Sequence, residues 1–281
     1  MTTTKTYTLV FALTLIFWTN LEAQVYELST PLAPSVNSLA EESIGGFIGI
    51  GPNWAGGKHF VECDSCEFQD GTATGYTIGG IYQRKASTNF FFGAIMSLDI
   101  MNINSTYREI EPIDISQFSG FSNEQKPINI DFRHEAKMNI TYLGIAPFIA
   151  YNPTGWLTFR VAPKISFPLY SNLVHTKTPL TKNVFVNGVE GRLRYTDADT
   201  KVQDSKVSEL TSPLIGSDFS LLLNLTPGER STFSIGYTQN VPFTNTSSFG
   251  ENFSINSWRI FVEFKYTIQK AYDLRPKSAK K

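Results

Sequence analysis

The chain has 281 residues, a formal net charge of −1 and 17% charged residues. That balance supplies no basic surface for nucleic acid and no acidic tail. Aromatics reach 14%, with 22 Phe and 12 Tyr, which favours strands over helices, and no apolar run approaches the roughly 20 residues that a membrane-crossing helix needs.

The first element is Leu9 to Trp18, a ten-residue apolar run behind Lys5 and ahead of Asn20-Leu21-Glu22-Ala23. A basic start, a short apolar segment and a small residue for cleavage make a secretory signal peptide, so residues 1–23 are expected to be removed and the mature chain to work outside the cytoplasm. Residues 24–43 form a Pro/Ser-rich lead, expected in the periplasm. Cys63 and Cys66, in ECDSCEF, are the chain's two cysteines. Their spacing suits a redox pair, half of a zinc site or a small loop disulfide. The acidic flanks Glu62, Asp64, Glu67 and Asp70 disfavour a reactive thiolate, and the three histidines, His59, His134 and His175, do not supply an obvious second half of a zinc site. A Cys63–Cys66 disulfide is expected.

From residue 44 onward the pattern is strand after strand. Eight are predicted: 44–51, 73–84, 89–103, 135–151, 156–169, 214–225, 231–241 and 255–268. Period-two alternation is clearest in the fifth, where Leu157, Phe159, Val161, Pro163, Ile165, Phe167 and Leu169 share one face and Arg160 and Lys164 lie on the other. In the eighth, Trp258, Ile260, Val262, Phe264, Tyr266 and Ile268 oppose Arg259, Glu263 and Lys265. Pro147 and Pro163 fall inside the fourth and fifth strands and should mark bulges or ladder bonds already missing. Connections alternate strictly. Lys85–Thr88, Asn152-Pro153-Thr154-Gly155 and Thr226–Arg230 are tight turns, whereas residues 52–72, 104–134, 170–213 and 242–254 read as long loops. Within the longest, Asn187-Gly188 signals a two-residue hairpin.

These features fix an orientation. Several strands exceed the usual five or six residues, their apolar faces are unbroken, their polar faces mix Gly, Ser and Thr with charge of both signs, and aromatics gather at strand ends. A transmembrane barrel explains all four: apolar faces meet lipid, small and charged side chains fill a narrow bore, and aromatics sit at headgroup level. The expected fold is therefore all-β, an eight-stranded antiparallel up-and-down transmembrane barrel over residues 44–268, with long extracellular loops, short periplasmic turns and a basic periplasmic tail, 269–281. By parity Asp99, Arg160, Lys164, Asp218, Arg259, Glu263 and Lys265 point into the lumen, where a charge left alone would be costly, so an ion-pair network that plugs the bore is expected. A soluble lipocalin-like carrier of a small ligand is the alternative, with the two faces exchanged.

The signal segment, strand count, alternation, turn asymmetry and the final SWRIFVEFKY (257–266) resemble the small eight-stranded outer-membrane barrels of the OmpA/OmpX type, in particular the PorT-like "outer membrane protein beta-barrel domain" group. The terminal strand, with Phe264 and Tyr266 at alternate sites, is similar to the signal read by the outer-membrane assembly machinery. The resemblance implies a bacterial outer-membrane location; contact with outer-membrane lipid and lipopolysaccharide; a structural, adhesive or envelope-machinery role; and an extracellular ligand or envelope partner met through the loops. A lipid A-modifying enzyme of the same size would need a Ser/His pair at the outer rim, for which Ser171 with His175, or His59, are the candidates. No G-x-S-x-G surrounds any serine, so no catalytic residue, metal site or cofactor is expected.

Overall fold

The computed structural model describes residues 41–61, 67–121, 126–186, 188–194, 200–227 and 230–269. The expected signal peptide, most of the lead and tail, and both Cys63 and Cys66 with their expected disulfide lie outside the described residues.

Eight long strands form an antiparallel ring: β1 (Glu42–Phe60), β2 (Glu67–Lys85), β3 (Phe90–Asp114), β4 (Pro127–Tyr151), β5 (Leu157–Pro179), β9 (Leu214–Pro227), β10 (Ser231–Pro242) and β11 (Gly250–Gln269). Each pairs with its neighbour in that order, and β11 returns to β1 with Ile48 opposite Val262, so the ring closes. Between β5 and β9 the chain adds a hairpin, β6 (Asn183–Val186) and β7 (Val189–Arg192), and a short strand β8 (Lys201–Ser205) that pairs with the upper part of β5. The hairpin brackets Asn187-Gly188, where Gly188 takes φ +79°, the left-handed conformation that a two-residue hairpin turn requires.

The predicted strands are all present, but six of them are too short at the long-connection end. Segments read as loops, 52–60, 104–114, 127–134 and 170–179, are paired strand. The reason is a reversal of polarity partway up the wall. On β3 the outward residues run Phe92, Ala94, Met96, Leu98 and Ile100, then Asn102, Asn104, Thr106 and Arg108; the inward residues run Ser97 and Asp99, then Met101, Ile103 and Ser105. On β4 the outward series changes from Ile149, Pro147, Ile145 and Leu143 to Thr141, Asn139, Lys137 and Glu135. On β11 it changes from Val262, Ile260 and Trp258 to Asn256 and Ser254, while the inward series changes from Glu263 and Arg259 to Ile255 and Phe253. A period-two pattern whose phase meaning flips midway looks like a strand followed by a loop.

The lower storey, beside the tight turns, is apolar outside, and its inside joins charged and small polar side chains to a buried apolar cluster of Ile81, Ile95, Ala146, Phe148 and Ala162. The upper storey is polar outside and has an apolar core of Met101, Ile103, Met138, Ile140, Leu173, Phe253 and Ile255, among others. About 9–11 residues of a tilted strand cross a bilayer, and β3 and β4 have 25 each, so more than half of each stands clear of the apolar belt. Above the core, Ile115, Phe118, Phe121, Ile130 and Phe132 pack with Val184 and Leu193 of the hairpin region.

Two irregularities fit this scheme. On β5 the register shifts by one at Pro168–Tyr170, so odd residues face out below the bulge and even residues above it; Leu173 and His175 thereby enter the interior. Pro147 and Pro163 make no bulge. The β4–β5 ladder runs to Ile145↔Ile165 and resumes at Ile149↔Val161 in unchanged register, so the prolines face each other across one short gap. Each lacks an N–H, and placing them opposite one another confines the loss to a single site.

The belt is testable by charge insertion. Val262→Arg, in the middle of the β11 outward series, should destabilise the protein in lipid vesicles by about 2–4 kcal/mol, and Asn256→Arg, above the belt, by about 0–1 kcal/mol. Denaturant titration followed by tryptophan emission measures both, and equal costs would place the belt elsewhere.

Candidate functional site

The lower storey carries buried charges on its inward face beside the apolar cluster. Arg160 on β5, Glu263 and Lys265 on β11, Asp99 on β3, Asp218 on β9, Lys164 on β5 and Arg259 on β11 all face inward, with Glu263 0% and Arg160 4% exposed. Two clusters result. In the lower one Arg160 Nη1 donates to Glu263 Oε2 at 2.7 Å, and Lys265 Nζ lies 3.0 Å from Glu263 Oε1. The Arg160 guanidinium also lies over the rings of Phe148 and Phe261, 5.5 Å from each centroid. In the higher one Lys164 Nζ bridges Asp99 Oδ2 at 2.9 Å and Asp218 Oδ2 at 3.1 Å. The other carboxylate oxygens are also engaged: Thr77 Oγ1 donates to Asp99 Oδ1 at 2.7 Å, and Asn240 Nδ2 to Asp218 Oδ1 at 2.6 Å.

Arg259 departs from the sequence expectation. It forms no ion pair among the described residues. Its Nη1 donates to the carbonyls of Gly51, Pro52 and Trp258 at 3.2, 3.0 and 2.9 Å, and its Nη2 to Asn53 Oδ1 at 2.5 Å. Peptide oxygens therefore replace a carboxylate, which parity alone does not reveal. Glycines make the space. A Cβ at Gly144 would lie 2.5 Å from Lys164 Cε, and one at Gly75 would lie 2.5 Å from Arg259 Nη2. The gap left among Asp99, Lys164, Asp218 and Arg259 is about 30 Å³, room for one or two waters.

The upper storey holds a second polar group that the sequence reading did not assemble. His134 Nδ1 and His175 Nε2 are 3.0 Å apart, and His134 Nε2 is 3.2 Å from Glu111 Oε1. Lys177 pairs with Glu111 Oε2, and Glu109 lies close to both Glu111 and His134. The Tyr107 ring stacks on His134 at 4.6 Å and 14°. The sequence signal was Glu109-Ile110-Glu111, two carboxylates with strand spacing, but it fell in a segment read as loop. The Ser171/His175 pair required for lipid chemistry is not formed: His175 Nε2 faces His134, and Ser171 Oγ accepts from the Val207 N–H at 3.3 Å. His59 is enclosed by Phe68 and Phe253, with centroids at 5.2 and 5.0 Å, and among the described residues neither of its nitrogens has a hydrogen-bond partner. Burial alone pushes its imidazole down to about 4.

Fold and site together define an eight-stranded barrel of the transmembrane type, with an ion-paired lower bore and a soluble-type upper storey. No family model matches the chain, and no curated protein matches it. Solved structures with a similar fold include the attachment invasion locus protein Ail of Yersinia pestis, in complex with the heparin analogue sucrose octasulfate (8% identity over 80% of this chain and 99% of that one, TM-score 0.32). Others are Neisserial surface protein A, NspA (10%, 79% and 97%, TM-score 0.31), and the outer membrane protease OmpT from Escherichia coli (7%, 84% and 99%, TM-score 0.32).

Two outcomes follow. Glu263→Gln strands Arg160 and Lys265 in the bore without a counter-ion and should cost about 3–5 kcal/mol, read by denaturant titration in vesicles. His59 must be neutral in the folded chain but takes a proton in the unfolded chain near its ordinary value of about 6.5. Protonation of the unfolded chain costs no stability above that value and destabilises the fold progressively as pH falls from about 6.5 to about 4, by up to about 3 kcal/mol. His59→Phe should lower the pH of half-unfolding; an unmoved midpoint would show that other groups set acid sensitivity.

Proposed function

We propose that this protein is an integral barrel of the bacterial outer membrane, non-conducting and without enzymatic activity, that displays its upper storey at the cell surface in a structural or adhesive role. The observation carrying this reading is the reversal of polarity between the two storeys. An outward face of Ile48, Phe92, Met96, Ile149, Phe159, Val161, Leu223 and Val262 is stable only against hydrocarbon, whereas the outward Asn102, Asn104, Lys137 and Asn139 above it suit headgroups and water. The lipocalin-like alternative needs the reverse below this boundary: charge outside and an apolar cavity within.

Non-conduction rests on two successive fillings of the bore, the ion-paired clusters and the apolar core above them. The tight turns face the periplasm in this reading, and the upper storey meets lipopolysaccharide sugars and external ligands. The strand Ser257–Tyr266, with Phe264 and Tyr266, serves as the signal for the assembly machinery. Membership of the PorT-like group is the finer reading; it would place the protein within an envelope machine rather than among adhesins.

Purified protein in planar bilayers should give no conductance steps; stable steps at neutral pH would overturn the closed-bore reading. An epitope inserted at Gly188, in the hairpin turn, should bind antibody on intact cells. Binding only after the outer membrane is permeabilised would reverse the orientation and assign the upper storey to a periplasmic machine.

A further inference from the structure

We infer that the upper storey carries a binding site for one first-row divalent metal ion, with Zn²⁺ as the probe, formed by Glu109 and Glu111 of β3 and His134 of β4. This site is independent of membrane orientation and of the lumen clusters below it.

Tyr107, Glu109 and Glu111 alternate along β3 and therefore share its inward face. His134 faces the same interior from β4, opposite Tyr107. One ligand atom from each of Glu109, Glu111 and His134 lies within 4.8 Å of the other two. Ligand atoms held tetrahedrally at about 2.0–2.2 Å lie roughly 3.3–3.6 Å apart; His134 Nε2 and Glu111 Oε1 already stand at 3.2 Å, so binding requires Glu109 to move in by up to about 1.5 Å, within reach of a side-chain rotation. One imidazole and two carboxylates form a mixed nitrogen and oxygen set, which suits Zn²⁺ and its first-row neighbours better than Ca²⁺.

Three further observations point to a cation. First, the two oxygens of Glu111 are already divided: Oε2 goes to Lys177, while Oε1 faces His134 Nε2 at 3.2 Å. The place between Nε2 and Oε1 belongs to a proton or a metal. Second, two carboxylates face one lysine here, so one negative charge is left over, and Glu109 supplies a third ligand that a single proton does not use. Third, His134 is held as metal-binding histidines usually are, through its other nitrogen. Its Nδ1 lies 3.0 Å from His175 Nε2; a proton on Nδ1 shared with His175 presents the Nε2 lone pair to the ion. His175 is fully buried, its Nδ1 has no partner among the described residues, and its ring meets that of Phe68 in a T-shaped contact at 5.4 Å. His134 itself is only 3% exposed, while Glu111 is 27% exposed. The ion therefore enters past the glutamates, and a water or an external ligand completes its coordination.

The test is isothermal titration of ZnCl₂ into the full chain in detergent micelles, in a Cys63→Ser/Cys66→Ser background so that thiolates do not contribute. One ion per chain is expected. Glu109→Gln, which leaves the Lys177–Glu111 pair in place, and His134→Ala should each abolish or severely weaken binding. His175→Ala, which touches no ion, should weaken it about 10- to 100-fold. Gel mobility before and after boiling verifies that each variant is folded. Absence of saturable binding to the parent chain, or equal affinity in folded His134→Ala, overturns the site.

Discussion

A peptide group in hydrocarbon has no water to bond, so every N–H and C=O in the belt must find its partner within the protein. The closed eight-strand ring meets that demand, and most other features of the lower storey follow from it. Closure leaves the eight ring strands without an open edge in the belt. It also makes the bore narrow enough for inward side chains from different strands to reach one another. The one place where the ladder is incomplete, around Pro147 and Pro163, sets two donor-less residues opposite each other, so the ring loses pairing once and not twice.

A narrow bore in turn dictates what can line it. Charges sealed from water are tolerated only with partners, and the interior supplies them by three routes. Arg160, Glu263 and Lys265 form one cluster across β5 and β11, and Lys164 joins Asp99 to Asp218 across β3, β5 and β9. Arg259 uses peptide carbonyls and Asn53. Lysine and arginine stems need length to reach these partners, and that length is accommodated only where the facing strand has no side chain, as at Gly75 and Gly144.

Above the belt the same ring stands in a different medium, and its inside and outside exchange polarity. Water then satisfies the outer face, and burial of apolar side chains such as Met138, Ile140, Phe253 and Ile255 becomes the stabilising term. That storey is therefore a conventional β-protein core resting on a membrane anchor. That core also encloses polar side chains: His59 among phenylalanines, and His134 and His175 beside Glu111.

The sequence alone determined the barrel, the strand count and the direction each belt residue faces, because period-two alternation ties a residue's parity to one of two media. Through the same parity it gave the inward side for Asp99, Arg160, Lys164, Asp218, Arg259, Glu263 and Lys265, but not for the histidines and glutamates of the upper storey. It did not determine how far the strands continue, since an alternation that reverses polarity at Ile100/Asn102 or Leu143/Thr141 leaves no single apolar face to follow. Nor did it reveal that the β5 bulge at Pro168–Tyr170 changes parity and thereby sends His175 inward. Partner choice was decided only by the tertiary structure. Arg259 with carbonyls, Lys164 between two aspartates, and Glu109, Glu111 and His134 together all depend on cross-strand register. Register is a property of the closed ring, set by all its strands at once, and no single segment encodes it.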